Sequence, residues 1–200
     1  MTVTTTTAGQ NARLTFSGTY GQRVSLSINS SSISNYAYIY LLKPDGSQMT
    51  NTYVYQNGTG FIDMQTLPMP GTYTVSVDPE GVNTGSMTLQ LNDATEVNAG
   101  TVTPGGAAAT ATTTAPGQNA KVTFEGVEGQ RVTVHLTGNT MSTVVVSLLT
   151  PDGMLLTSTN SSGGSFDLAA QTLPTTGTFV IRIDPSWTNT GAIGVSVTGQ

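Results

Sequence analysis

The octapeptide GQNARLTF at residues 9–16 returns almost unchanged as GQNAKVTF at residues 117–124. Four further matches follow in the same order along the chain: GQRV at 21–24 and 129–132, PDG at 44–46 and 151–153, QTLP at 65–68 and 171–174, and DP at 78–79 and 184–185. Collinear self-similarity of this kind indicates an internal repeat. The sequence therefore predicts two homologous domains, at residues 1–93 and 111–200.

The stretch between the repeats, residues 94–110, is rich in Ala, Thr and Gly and contains Pro-Gly-Gly at 104–106. This composition favours a linker with at most one extended segment. The Thr-rich segment at its end, 110–114, resembles residues 2–7. The chain therefore begins at the same position of the repeat as its second half. That position is expected of a slice from a longer tandem array.

Each repeat alternates apolar and polar residues over five short segments. In the first repeat the apolar positions are 14 and 16, then 24, 26 and 28, then 37, 39 and 41, then 73, 75 and 77, then 87, 89 and 91. Period two is typical of a strand with one buried face, and the Pro-Asp-Gly sequences predict hairpin turns. The predicted fold class is all-β, with two tandem antiparallel β-sandwich domains.

Composition excludes several classes of protein. Charged residues make up 8% of the chain and the net charge is −5, which argues against nucleic acid or anionic lipid as a partner. No apolar run approaches the ~20 residues of a membrane helix, so no membrane insertion is expected. Cysteine is absent, which removes disulfides and thiolate metal sites. No signal peptide is recognisable after Met1, and we expect this chain to be a piece of a longer protein.

A catalytic set is not predicted, so the chain is not expected to be an enzyme. His135 is the only histidine, and it occupies an outward strand position at which the first repeat has Ser27; a surface histidine is favoured over a general base. The repeated aspartates, at 45 and 152 and at 78 and 184, are assigned to turns. No calcium-loop spacing is present. We predict no cofactor, with calcium held partly by backbone carbonyls as an alternative.

Several of these segments resemble the bacterial pre-peptidase C-terminal family. They are TFSGTYGQRV at 15–24, LLKPDG at 41–46, TLP at 66–68 and GTYTVSVDP at 71–79, and the second repeat matches as well. The resemblance implies small jelly-roll-like sandwiches, often in tandem, appended to secreted proteases and other bacterial surface proteins. It also implies a non-catalytic module that in some members binds polysaccharide or protein.

Five tyrosines of the first repeat have smaller counterparts in the second: Tyr36, Tyr38, Tyr40, Tyr53 and Tyr55. They share one outward face if residue 42 pairs with residue 49 across the hairpin. Two interpretations stay open, cross-strand aromatic pairing and a contact surface for a protein neighbour. Trp187, which aligns with Gly81, is the other candidate contact residue, with sugar stacking as its functional alternative.

These observations together predict a non-catalytic, extracellular or cell-surface structural repeat module, acting as a spacer, stalk or fibre-forming element. The expected partners are neighbouring repeats or identical chains, joined head to tail if the Thr-rich segments pair with a neighbour's sheet edge. Otherwise each Thr-rich segment completes its own domain. The alternative function is a carbohydrate-binding or adhesive module that takes polysaccharide. Residues 1–93 and 111–200 are expected to fold separately.

Overall fold

The structure, a computed structural model, describes residues 1–199 and divides into two compact units, Met1–Asp93 and Ala94–Gln200. Each unit is a β-sandwich, which confirms the predicted fold class. Strands are the regular secondary structure of both units. Within residues 1–199 no helix has the length and apolar character needed to cross a membrane.

The first unit has eight strands arranged in two sheets. They are β1 (Thr2–Thr5), β2 (Ala12–Gly18), β3 (Arg23–Ser31), β4 (Tyr36–Leu42), β5 (Gln48–Tyr55), β6 (Gly60–Thr66), β7 (Gly71–Pro79) and β8 (Gly85–Asp93). The strand order is β1-β8-β3-β6 in one sheet and β2-β7-β4-β5 in the other, with antiparallel neighbours throughout. Two four-stranded sheets in this order form a jelly roll.

The second unit repeats this plan and adds one strand. Its elements are β9 (Val97–Thr101), β10 (Ala109–Thr113), β11 (Ala120–Gly126), β12 (Arg131–Thr137), β13 (Val144–Leu149), β14 (Leu155–Ser161), β15 (Phe166–Asp167), β16 (Gln171–Thr172), β17 (Gly177–Pro185) and β18 (Gly191–Gly199). One sheet runs β10-β18-β12, with β15 and β16 both on the far side of β12, and the other runs β14-β13-β17-β11-β9.

The apolar positions predicted to face inward line the space between the two sheets of each unit. In the second unit Phe124, Phe179 and Ile181 are all 0% exposed, and in the first unit Tyr73 and Val77 are as well. Because successive side chains of a strand point to opposite faces, the burial of these residues indicates the register of the strands that carry them.

Residues 94–110, predicted to be a linker, are part of the second unit. Strand β9 lies parallel to β11 at the edge of a sheet, and Val102, which follows it, is 3% exposed. Small apolar side chains at 97 and 99 pack against the same core. The Gly-rich composition does not predict this strand, because its stability comes from pairing with β11 and from contacts of a few small apolar side chains. The second folded unit therefore begins at residue 94 rather than 111.

The Thr-rich segments complete the domains in which they lie. Strand β1 pairs with β8 from Thr2↔Thr88 to Thr5↔Gly85, and β10 pairs with β18 in the same way. The intramolecular alternative for these segments is the one that the structure contains. Threonine hydroxyls on the exposed face add cross-strand contacts, such as Thr4 Oγ1 to Ser86 Oγ at 2.9 Å.

Candidate functional site

Strands β4 and β5 bring the five tyrosines onto one outward face of the first unit. Opposite residues are Tyr36 and Tyr55, and then Tyr38 and Tyr53, while the alternating residues, Ala37 among them, face the core. The predicted register holds as far as Leu41. A bulge then pairs residue 42 with residue 48 instead of 49, which lets the Pro-Asp-Gly turn close. We call this group, Tyr36, Tyr38, Tyr40, Tyr53 and Tyr55, the tyrosine patch.

The rings of the tyrosine patch contact one another mainly edge to face. The ring centroids of Tyr36 and Tyr38 are 5.5 Å apart at 87°, and those of Tyr53 and Tyr55 are 5.5 Å apart at 89°. Such pairs contribute about 0.5–1.5 kcal/mol beyond their buried area. All members except Tyr40 line a depression of about 200 Å³, and Tyr53 and Tyr55 remain 54% and 60% exposed. The patch is thus both a stabilising cluster and an accessible aromatic surface.

Two carboxylates lie close to the tyrosine patch. Partial burial raises the pKa of Tyr36 and of Tyr40, and the nearby charges of Glu80 and Asp78, respectively, raise these pKa values further. Asp78 is directly opposite Tyr38 in β7, so it lies within the strand and the prediction that it occupies a turn is wrong. Asp184 lies within β17 in the same way. The raised pKa values keep the phenols of Tyr36 and Tyr40 neutral at physiological pH.

Trp187 lies in the loop between β17 and β18 of the second unit and is 65% exposed. Its φ is 58°, in the left-handed region, and the aligned Gly81 has a φ of 61°. The two loops thus share one backbone conformation that suits glycine and strains a residue with a Cβ. Trp187 belongs to a different unit from the tyrosine patch and forms a separate feature.

Replacing Trp187 by glycine is expected to stabilise the second unit by about 0.5–1 kcal/mol, because relief of the left-handed strain exceeds the extra entropy of an unfolded glycine. Trp187→Ala retains the Cβ and is expected to give no such gain. Calorimetric unfolding of both variants measures the difference. Equal stability of the two variants would show that φ at residue 187 stores no strain.

His135 makes polar contacts with Asp167 and Thr198 that no sequence pattern predicted, and we call these three side chains the His135 group. Its Nδ1 is 2.8 Å from Asp167 Oδ1 and its Nε2 is 2.8 Å from Thr198 Oγ1. The histidine side chain is 33% exposed and the aspartate 57%. The order carboxylate, imidazole, hydroxyl is that of a hydrolase triad, so the geometry of contact alone does not distinguish catalysis from structure.

Two observations favour a structural role for the His135 group. His135 lies in β12 between Ser196 of β18 and Asp167 of β15, within the backbone ladder, where N–H groups are engaged rather than directed at a developing oxyanion. The aligned strands of the first unit also carry a polar link, since Asn92 Nδ2 donates to Ser27 Oγ at 3.0 Å. Period-two alternation predicted that His135 points outward, but neither Asp167 nor Thr198 is marked by any motif.

The aspartates of the Pro-Asp-Gly turns are bound within their own hairpins. Asp45 accepts hydrogen bonds from the Ser47 hydroxyl at 2.7 Å and the Ser47 N–H at 2.9 Å, and Asp152 accepts one from the Thr150 hydroxyl. These hydroxyl donors are the main reason that the pKa of both carboxyl groups lies below its ordinary value. The predicted turn positions are confirmed, and both side chains act in the fold.

These lowered pKa values predict a pH-dependent contribution to stability. A carboxyl group with a lower pKa in the folded state stabilises the fold above its unfolded pKa of about 3.9, and the contribution is lost as the pH falls toward the folded pKa. Urea unfolding from about pH 6 down to about pH 2, which passes through the unfolded pKa, is expected to show a smaller loss of stability in acid for the double variant Asp45→Asn, Asp152→Asn. Ser47→Ala with Thr150→Val, which removes the two hydroxyl donors, is expected to do the same. Profiles that match the unsubstituted protein would contradict this assignment.

An apolar hollow of about 560 Å³ lies beside the Pro-Asp-Gly turn of the second unit. Met154 and Leu155 are 65% and 61% exposed at its wall, and Pro174 contributes from the facing loop. The first repeat has Ser47 and Gln48 in the corresponding places. Comparison of the repeats at these two positions is the signal that could have found this surface.

Side chains that could bind a metal ion do not cluster in the part of the chain that the structure describes. No three side chains of histidine, aspartate, glutamate or cysteine come together there as a metal site would require. The Pro-Asp-Gly turn aspartates occur in both units, whereas the tyrosine patch, the polar contacts of His135 and the apolar hollow each occur on one unit.

No protein-family model and no curated protein matches the chain. Among solved structures, the Aeromonas hydrophila PliG, a periplasmic inhibitor of g-type lysozyme, is 15% identical with a TM-score of 0.38, covering 53% of this chain and 100% of its own. The human MASP-1/3 CUB1-EGF-CUB2 domain is 7% identical with a TM-score of 0.28, covering 99% of both chains.

A third solved structure, the M60 catalytic domain with two CBM51 domains of Clostridium perfringens ZmpB, is 8% identical with a TM-score of 0.30, over 95% of this chain and 32% of that one. At such values the likeness concerns a β-rich fold and carries no argument about activity. The resemblance to the pre-peptidase family stays a prediction.

Proposed function

We propose that this chain is a non-catalytic structural repeat module of a bacterial extracellular or cell-surface protein, serving as a spacer or stalk element. The supporting observation is which structural features occur in both units and which occur in only one. They share the jelly-roll order, the Pro-Asp-Gly turns and the Thr-rich first strand. The tyrosine patch, the His135 group and the apolar hollow each occur on one unit.

A repeated module retains whatever its common task requires. Here the common features are those that form and close a sandwich, such as the contact between Gly126 and the Phe179 ring, which recurs between Gly18 and Tyr73. A chemical site is not among them. The low proportion of charged residues, 8%, and the Thr-rich exposed strands suit a solvated spacer outside the cell.

The second candidate function is adhesion to polysaccharide or to a protein, and the tyrosine patch supports it. Exposed aromatic rings are enriched at contact surfaces, and the second unit folds with small residues at the same positions. Stability of the jelly roll alone therefore does not require these tyrosines. A neighbouring repeat or an identical chain is the protein partner that a tandem array would offer.

A glycan array with affinity electrophoresis separates the two functions. The spacer function predicts no saturable binding by the unsubstituted protein. Adhesion predicts saturable binding that Tyr38→Ala or Trp187→Ala abolishes. Tyr20→Ala serves as the matched control, because Tyr20 is a 79% exposed tyrosine outside the patch. Binding that is lost in Tyr38→Ala and retained in Tyr20→Ala would replace the spacer function by adhesion.

A further inference from the structure

Strand β2 of the first unit and strand β11 of the second are built from the same octapeptide but differ in burial. Their inward residues are Ala12, Leu14 and Phe16 in β2, and Ala120, Val122 and Phe124 in β11. The three residues of β11 are 0% exposed, whereas all three of β2 are only partly buried. The core of the first unit is therefore open along β2 at a place where the second unit is closed.

The segment that closes the second unit is β9 together with Val102. Strand β9 continues the sheet beyond β11 in the parallel sense, with hydrogen bonds from Val97 N to Asn119 O and from Val102 N to Thr123 O, both 2.8 Å. Val102 then enters the core. In the first unit β2 is the edge strand of its sheet, with no strand beyond it among the described residues.

Side chains of the octapeptide also hold this segment. Lys121 Nζ is 3.2 Å from Glu96 Oε2, Gln118 Nε2 donates to the Thr95 carbonyl at 2.9 Å, and the hydroxyls of Thr123 and Thr101 are 2.8 Å apart. These contacts supply charge complementarity and fix the register of β9 against β11.

Every residue of the octapeptide at 117–124 that makes these contacts has an equivalent in the octapeptide at 9–16. Gln118, Asn119 and Thr123 correspond to identical residues at 10, 11 and 15, and Lys121 corresponds to the exposed Arg13. The first unit thus carries the whole acceptor surface: a strand edge, a positive charge beside it, and partly exposed apolar side chains below it.

We propose that the β2 edge of the first unit binds an extended peptide segment in parallel, with the sequence pattern of residues 95–102. The segment has an acidic residue to meet Arg13, then alternating small apolar residues, then a β-branched apolar residue that enters the core between Leu14 and Phe16. Strand addition at an exposed edge is an established mode of peptide recognition. The inference goes beyond the spacer function, since it names the segment that completes the unit.

The test adds a second copy of residues 94–108 directly before Met1 of the full chain. The added segment has the same spacing from the first unit as residues 94–108 have from the second. Thr5 pairs with Gly85 as Thr113 pairs with Gly191, so Met1 corresponds to Ala109. The backbone N–H groups of Arg13 and Thr15 lie on the edge that the segment would cover. Their hydrogen exchange is expected to slow about tenfold or more, and the midpoint of the first unit's thermal transition is expected to rise by about 4–8 °C.

Two variants of the added copy serve as controls. Val102→Asp within it places a charge where the core must accept an apolar side chain, and is expected to abolish both effects. Glu96→Lys within it is expected to reduce protection, and Arg13→Glu in the first unit is expected to restore protection through the reversed charge pair.

Two results would overturn the proposal. One is equal exchange at Arg13 and Thr15 with the unsubstituted and the Val102→Asp added segments. The other is exchange at these two amides that slows with protein concentration in the chain without the addition, with sedimentation showing a dimer. In that case a second copy, and not a segment of this pattern, covers the edge.

Discussion

Replacing residues 95–102 of the full chain by a Gly-Ser segment of equal length is expected to destabilise the second unit by at least about 2 kcal/mol. The replacement removes Val102 from the core, and burial of one valine side chain contributes about 1.5–3 kcal/mol. It also uncovers the partner strand β11, whose inward residues are fully buried in the intact unit. Differential scanning calorimetry would show a lower midpoint for one transition and an unchanged midpoint for the other.

The matched control for this replacement is a Gly-Ser substitution of residues 105–108. That tract is exposed along its whole length and lies between β9 and β10, so it is expected to leave stability within about 0.5 kcal/mol of the unsubstituted protein. If the two replacements behave alike, residues 95–102 act as the linker that their composition indicates, and the pairing of β9 with β11 contributes nothing to stability.

Phe179→Ala is expected to lower the free energy of unfolding of the second unit by about 3–5 kcal/mol, the usual range for removing a buried phenylalanine. The ring is 0% exposed and stacks on Phe124 with a centroid separation of 5.4 Å. At about 4–8 °C for each kcal/mol in a domain of this size, the midpoint is expected to fall by more than about 10 °C.

Val180→Ala is the control for Phe179→Ala, since the neighbouring side chain points away from the core and is only partly buried. Tyr73→Ala is the equivalent change in the first unit, where Tyr73 stacks on Phe16 at 5.5 Å. Each core variant is expected to lower the transition of its own unit only. A single transition that shifts in both variants would show that the two units unfold together.

The tyrosine patch shows how far a pattern read along the chain can be carried. Alternation of Tyr36, Tyr38 and Tyr40 with core residues was enough to predict their shared face, and the hairpin turn was enough to place Tyr53 and Tyr55 beside them. The bulge at residue 49 was not predictable, because it depends on the backbone geometry with which the hairpin turn joins the two strands. The edge-to-face ring geometry likewise depends on side-chain packing.

The His135 group and the Glu96–Lys121 pair lie beyond such patterns. Asp167 is 32 residues from His135, and Thr198 is 63 residues away. These side chains meet because β15 and β18 lie on opposite sides of β12, an arrangement that no local spacing encodes. Glu96 lies beside Lys121 for a similar reason. Strands β9 and β11 pair in parallel, and a parallel pair requires a crossover connection that no local sequence pattern predicts.

The sequence by itself determined that the chain contains two homologous β-sandwiches, which residues face each core, and where the hairpins turn. Those properties follow from local rules: side chains alternate along a strand, and Pro-Asp-Gly turns the backbone. Tertiary structure decided where the second unit begins, that Asp78 and Asp184 lie in strands, and that β2 and β11 differ in burial despite nearly identical sequences. The physical reason is that a weakly apolar segment such as 94–102 becomes a strand only when a distant edge supplies its hydrogen bonds and an open core accepts its valine.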